Sequence, residues 1–155
     1  MTLAYWEDVV PGTVTEYGGY TVSEEEIIAF ATEFDPQSFH IDRDAAKSHF
    51  YGGIIASGWH TAALLMRMMV DNRLSGMKSQ GSPGVSELRW LKPVRPGDTL
   101  RVRQEILGTR PLKSRPGIGA VENEFTVLNQ HDEPVLRMRS TGFFGRRPDD
   151  AATES

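Results

Sequence analysis

Asp35 and His40 stand five positions apart, with Pro36-Gln37-Ser38-Phe39 between them. A carboxylate and an imidazole within reach of each other can share proton-transfer work. Adding water across a carbon–carbon double bond next to a carbonyl needs a base to take a proton from the water and an acid to place one on the alpha carbon. An aspartate and a neutral histidine holding one water between them meet that need. On spacing alone the plainer reading is favoured, in which the carboxylate merely ends a helix and the histidine packs in a loop, because short polar spacings recur by chance.

A second element adds what such chemistry would lack. Gly53-Ile54-Ile55-Ala56-Ser57-Gly58 runs directly into an apolar stretch, so Ser57 can cap a helix and the backbone N–H of Gly58 can lie in its first turn. Unpaired N–H groups at a helix start, aided by the helix dipole, suit a thioester carbonyl oxygen as it takes on enolate character. Glycine there lets a substrate approach the backbone. By itself the segment also reads as an ordinary serine cap with a small residue for packing. Ser57 does not fit a nucleophile elbow, since Ile55 and Trp59 stand where that Gly-x-Ser-x-Gly pattern needs glycines.

The elements that must hold these residues can be traced along the chain. Ser23 and Glu26 form a capping-box signature, and Ile27, Ala31 and Phe34 follow at helical spacing until Pro36 disfavours helix in the residue before it. Asp35 is thereby placed just past a helix end, and Pro36 to Phe39 is expected as a loop. Asp42 opens a short second helix, which Gly52-Gly53 closes. From Gly58 to about Asn72, Ala62, Leu65, Met66 and Met69 form one stripe, and Trp59, Ala63, Met68 and Val70 widen it, so the helix is expected to be largely buried. Met66, Met68 and Met69 read as core, with side chains soft enough to line an acyl tunnel. Lys78 to Gly84 reads as a loop.

The period then changes to two. Ser86, Leu88 and Trp90 alternate with Glu87 and Arg89; Leu100, Val102 and Ile106 alternate with Arg101, Arg103 and Glu105. Arg110 to Gly119 reads as a loop. Val121, Phe125 and Val127 mark another strand, and a turn at 129–134 leads to a last one over roughly Val135 to Phe144. With an early strand near Val14 to Val22, these elements predict an α+β architecture: one antiparallel sheet curved around a long apolar helix. One domain over residues 1–147 is expected, the polar residues from Arg146 on reading as a frayed tail and 148–155 lying outside the domain.

Composition narrows the function. The chain has 155 residues, no cysteine and a formal charge of −4. Disulfides, thiol nucleophiles and cysteine-based metal sites are excluded, and mixed charge argues against nucleic acid as a partner. Neither a leader nor an apolar run long enough to span a bilayer is evident, so no membrane association and a cytoplasmic location are expected. His49, His60 and His131 share no metal-ligand spacing.

Taken together and in order, Phe34-Asp35-Pro36-Gln37-Ser38-Phe39-His40-Ile41-Asp42, Gly52 to Gly58, and Leu91-Lys92-Pro93-Val94-Arg95-Pro96-Gly97-Asp98-Thr99-Leu100 resemble the MaoC-like dehydratases, which include (R)-specific enoyl-CoA hydratases. The resemblance covers most of the chain. It implies a single hot-dog fold, a homodimer or higher homo-oligomer, and an acyl-CoA substrate, with no cofactor apart from the coenzyme A of that substrate. It also implies that Asp35 and His40 are the catalytic pair and that the Gly58 N–H is the oxyanion donor. Ser57 would help orient the loop or the histidine. Ser57, Gln37 and His60 are candidate substrate contacts, and Gln37-Ser38 departs from the Asn-Pro often found there in the family. Arg89, Lys92 and Arg95 are candidates to meet coenzyme A phosphates. Thioester hydrolysis on the same fold and non-catalytic binding of acyl thioesters are the rival expectations.

Overall fold

The structure is a computed structural model that describes residues 2–149. Five antiparallel strands form one sheet in the order β1-β3-β4-β5-β2, with β1 at Val14–Thr21, β2 at Gly84–Trp90, β3 at Thr99–Pro111, β4 at Ile118–Leu128 and β5 at Pro134–Gly145. Four helices precede β2: α1 at Glu24–Phe34, α2 at Ser38–Ile41, α3 at Arg43–Ser48 and α4 at Gly58–Asn72. The helix starts follow their caps. Ser23 accepts from the Glu26 N–H while Glu26 reaches back to the Ser23 N–H, and Asp42 caps α3 through the N–H groups of Asp44 and Ala45.

Alternation along the central strands builds the core. Leu100, Val102, Phe125, Val127 and Leu136 are fully or almost fully buried, and Leu65 and Met68 of α4 pack in the same cluster. Each such side chain contributes about 1.5–3 kcal/mol on burial. β1 bends across α4 at an irregularity between Gly18 and Tyr20. Gly18 has φ +117°, and a Cβ there would lie 2.7 Å from the Met68 sulfur, so both the backbone and the space require glycine. A long helix wrapped by one antiparallel sheet is the hot-dog arrangement. No described helix is long and apolar enough to cross a membrane.

Several local expectations need correction. The segment before His40 is not all loop: α2 begins at Ser38, because proline restricts the residue before it but leaves the chain free to turn helical two residues later. α4 is buried on one face only. His60, Thr61, Leu64, Leu65, Met68 and Met69 face inward, whereas Trp59, Met66 and Val70 are exposed. A sheet from one chain covers a single side of the helix. On β2 the expected inward row of Ser86, Leu88 and Trp90 is broken by a bulge between Val85 and Glu87, and Trp90 is 45% exposed. The β3–β4 connection is shorter than Arg110 to Gly119, since Pro111 still pairs with Gly119. Arg146 does not belong to a frayed tail: it is buried, its guanidinium 3.1 Å from Glu7 and stacked over Trp6. Residues 150–155 of the expected tail lie outside the described residues.

Candidate active site

Asp35 is the C-terminal cap of α1, with non-helical backbone geometry (φ −152°, ψ 66°) and its N–H bonded to the Ala31 carbonyl. α2, only one turn long, brings His40 back over it, so that His40 Nε2 lies 3.3 Å from Asp35 Oδ2. His40 Nδ1 is 2.6 Å from the Ile55 carbonyl oxygen. A carbonyl can only accept, so Nδ1 carries a proton and donates it there, leaving Nε2 to face the carboxylate.

Ile55 belongs to a strap tied on both sides. Its N–H bonds the Phe39 carbonyl, and the Ala56 N–H bonds the Val94 carbonyl. Val94 sits in the turn before β3, where the Arg95 N–H donates to Asp98 and the Arg95 guanidinium donates to the Tyr51 carbonyl. The three sequence segments therefore form one mechanical unit, with the 91–100 turn holding the strap that orients the histidine.

The strap ends at Ser57, which is fully buried. Its hydroxyl accepts from the Trp59 N–H at 3.3 Å as a helix cap and donates to the Asp35 carboxylate. Ser57 thus ties the end of the strap to the aspartate. Gln37 Nε2 donates at 2.7 Å to Asp35 Oδ1, the oxygen that does not face His40. Burial pushes the Asp35 carboxyl up, but the bonds from Gln37 and Ser57 and the charge of His40 outweigh it, and the group titrates below the ordinary 3.8. Asp35 is therefore held as a carboxylate near neutral pH.

Gly58 opens α4 beside this pair, and its N–H has no protein partner among the described residues. Its Cβ side is filled, where the sequence led one to expect space for a substrate to approach, although Gly58 still lines the cleft. The Trp90 indole occupies that side: a Cβ on Gly58 would lie 2.4 Å from that ring, and Trp90 Nε1 donates to the Gly58 carbonyl at 2.7 Å. A cleft of about 430 Å³ joins Asp35, His40 and Gly58, with Phe39, Trp59 and Trp90 among its walls.

The remaining candidates fall out differently. Gln37 does not line the cleft and serves Asp35 instead. His60 points away from it, stacked on Phe30 at 4.6 Å between ring centroids, with Nδ1 buried and unpartnered. Lys92 lines the cleft and pairs with Glu133, whereas Arg89 pairs with Glu87 and Arg95 with the Tyr51 carbonyl, both outside it. Trp90 was read as an inward strand residue, and nothing local could reveal that it covers a glycine 32 positions earlier. Among the described residues no group of three or more histidine, aspartate and glutamate side chains is placed to hold a metal ion.

Comparison with known proteins finds the same fold. A MaoC-like dehydratase from Rhodospirillum rubrum is similar in structure, with a TM-score of 0.84 and 40% identity over 94% of this chain and 99% of that one. The uncharacterized protein YdeM of Bacillus subtilis is 33% identical over 125 residues, 81% of this chain and 87% of that protein. The 3-hydroxyacyl-thioester dehydratase Z of Mycobacterium tuberculosis is 31% identical over 94 residues, 59% of this chain and 62% of its own length. Residues 8–128 match the family described as MaoC like domain, a span that contains Asp35, His40, the strap, α4 and the 91–100 turn. On that match the chain belongs to the MaoC-like dehydratase family, with the hot-dog fold its sheet and helix display.

Proposed function

We propose that the protein catalyses the reversible hydration of an enoyl thioester to the 3-hydroxyacyl form, on Asp35, His40 and Gly58. The observation that carries this reading is the approach of Asp35 Oδ2 to His40 Nε2 at 3.3 Å beside the unpartnered Gly58 N–H, all on one cleft. With the carboxylate ionised and the histidine neutral, both facing atoms accept hydrogen bonds. A water donating to both would turn its lone pair outward, toward the beta carbon of a bound substrate. As its oxygen bonds that carbon, one proton passes to the pair and the double-bond electrons move onto the thioester oxygen. The Gly58 N–H, at the start of α4, stabilises that enolate. The pair then returns a proton to the alpha carbon, and atoms balance with no redox change. Coenzyme A enters as part of the substrate, and the reading invokes no separate cofactor.

The test is loss of enoyl-thioester absorbance with crotonyl-CoA and longer analogues. Asp35→Asn and His40→Ala are each expected to lower kcat by roughly 10²–10⁴-fold, the range that positioned acid–base groups supply. Hydration that survives both substitutions would sink the assignment. Release of free thiol at a comparable rate would point to thioester hydrolysis, and tight acyl-CoA binding without turnover to a binding role.

A homodimer belongs to the same reading. Trp59 (60% exposed), Met66, Val85, Trp90 and Leu91 leave apolar surface at and beside β2, whose outer edge is unpaired. A second copy pairing along β2 would cover both.

A further inference from the structure

Between the C-terminal half of α4 and the sheet lies another cavity, of about 330 Å³, which shares no lining residue with the Asp35–His40 cleft. Met66, Met69, Ile106, Val121, Phe125 and Phe144 give it an apolar wall. Its volume is about twice the ~150 Å³ of an engineered apolar cavity that takes up benzene. One part of the wall breaks the pattern. Gln104 and Asn123, both more than nine-tenths buried, meet there through Gln104 Nε2 and Asn123 Oδ1 at 2.9 Å.

The direction of this polar chain is fixed at one end. Asn123 Nδ2 is 3.3 Å from the Val121 carbonyl, which can only accept, so Asn123 presents its nitrogen there and its oxygen to Gln104. Gln104 must then donate to Asn123 and turn its own oxygen to Tyr17, whose hydroxyl donates at 2.7 Å. Burial pushes the Tyr17 phenol up, the charge of Arg73 acting the other way, so the donor keeps its proton. Each amide oxygen thereby accepts one hydrogen bond, and each amide nitrogen keeps one N–H to offer. Arg73, at the end of α4, lines the same cavity, and its buried Nε has no hydrogen-bond partner. No acidic residue lines the cavity, and Arg73 is in no ion pair among the described residues. The charged and amide groups of the wall therefore offer a cation and two free amide N–H donors, with no negative charge among them.

We propose that this cavity binds an aliphatic chain ended by a carboxylate, which meets Arg73 and the Gln104–Asn123 amides while the chain lies along the apolar wall. A free fatty acid and the far end of a dicarboxylic acyl thioester share that chemistry. The inference stands apart from the hydratase reading, because no residue of the catalytic pair touches this cavity.

Calorimetric titration of the full chain with octanoate, octanol and octylamine tests it. Octanoate should bind on the order of tenfold or more tightly than the other two, the factor expected of a charge-assisted hydrogen bond. Arg73→Met should erase the preference, Arg73→Lys should keep most of it, and Asp35→Asn should leave octanoate binding unchanged. Equal binding of the three probes, no binding of octanoate, or loss of it in Asp35→Asn would overturn the proposal. The probe series on the unaltered chain decides the matter even if Arg73→Met fails to fold. Suberyl-CoA and octanoyl-CoA separate the two sources: tighter suberyl-CoA binding that Arg73→Met abolishes assigns the carboxylate to a thioester, and equal binding beside octanoate uptake assigns it to a free acid.

Discussion

The Asp35 carboxylate accepts hydrogen bonds from the Gln37 amide, at Oδ1, and from the Ser57 hydroxyl. These bonds, with the His40 charge, are what hold its titration below the ordinary carboxylate value against burial. Removing either donor should raise it. In Gln37→Ala and Ser57→Ala the acid limb of the kcat/KM profile is therefore expected to move to higher pH, with crotonyl-CoA hydration at neutral pH falling less than in Asp35→Asn. An unmoved limb in both variants would show that neither residue tunes the aspartate. The pair itself was legible in the sequence as two residue types at a spacing. Its support was not, because the Ser57 hydroxyl reaches Asp35 across 22 residues and the Ile55 carbonyl reaches His40 across 15.

The start of α4 is set by contact between elements. Gly58 and Trp90 occupy one space, so Gly58→Ala must push the indole away or shift the helix. A destabilisation of about 1–3 kcal/mol is expected, as for overpacking elsewhere, with a change in tryptophan fluorescence. Trp90→Leu should relieve part of it, and a double-mutant cycle by urea unfolding measures the coupling. Farther along the first turn, burial pushes the His60 imidazole down from 6.5, the charge of Glu26 opposing. The unfolded chain then takes up the proton more readily than the folded one. The stability this residue contributes is full above about 6.5 and is lost as pH falls through that value toward the folded pKa. His60→Phe should keep the stack on Phe30, remove the unpartnered Nδ1, and show a smaller drop in melting temperature between about pH 7.5 and about pH 5.5. An equal drop in both proteins would contradict this.

Across the whole molecule, one face of α4 and the outer edge of β2 remain uncovered by the chain that carries them. Light scattering after size exclusion should report a dimer. Val85→Lys, placing a charge on the exposed edge strand, should shift it toward monomer with the melting curve of each chain otherwise cooperative. A monomeric unaltered chain would refute the pairing. The uniformly apolar run of α4 is explained at this scale. Helical periodicity counts apolar residues without saying which side the chain's own sheet will cover, so Met66 and Trp59 were expected in the core with Leu65 and Met69.

By itself the sequence determined the order of the elements other than α2, the capped starts of α1, α3 and α4, the alternation that buries β3, and the three segments that meet at the candidate site. Each of these depends on residues within a few positions of one another, where caps, prolines and side-chain period act directly. Only the tertiary structure decided how Asp35 is held, that Trp90 fills the space beside Gly58, that His60 faces Phe30, and that Arg146 is buried against Glu7. Those outcomes depend on which distant side chains reach the same volume, and local propensity carries no information about that.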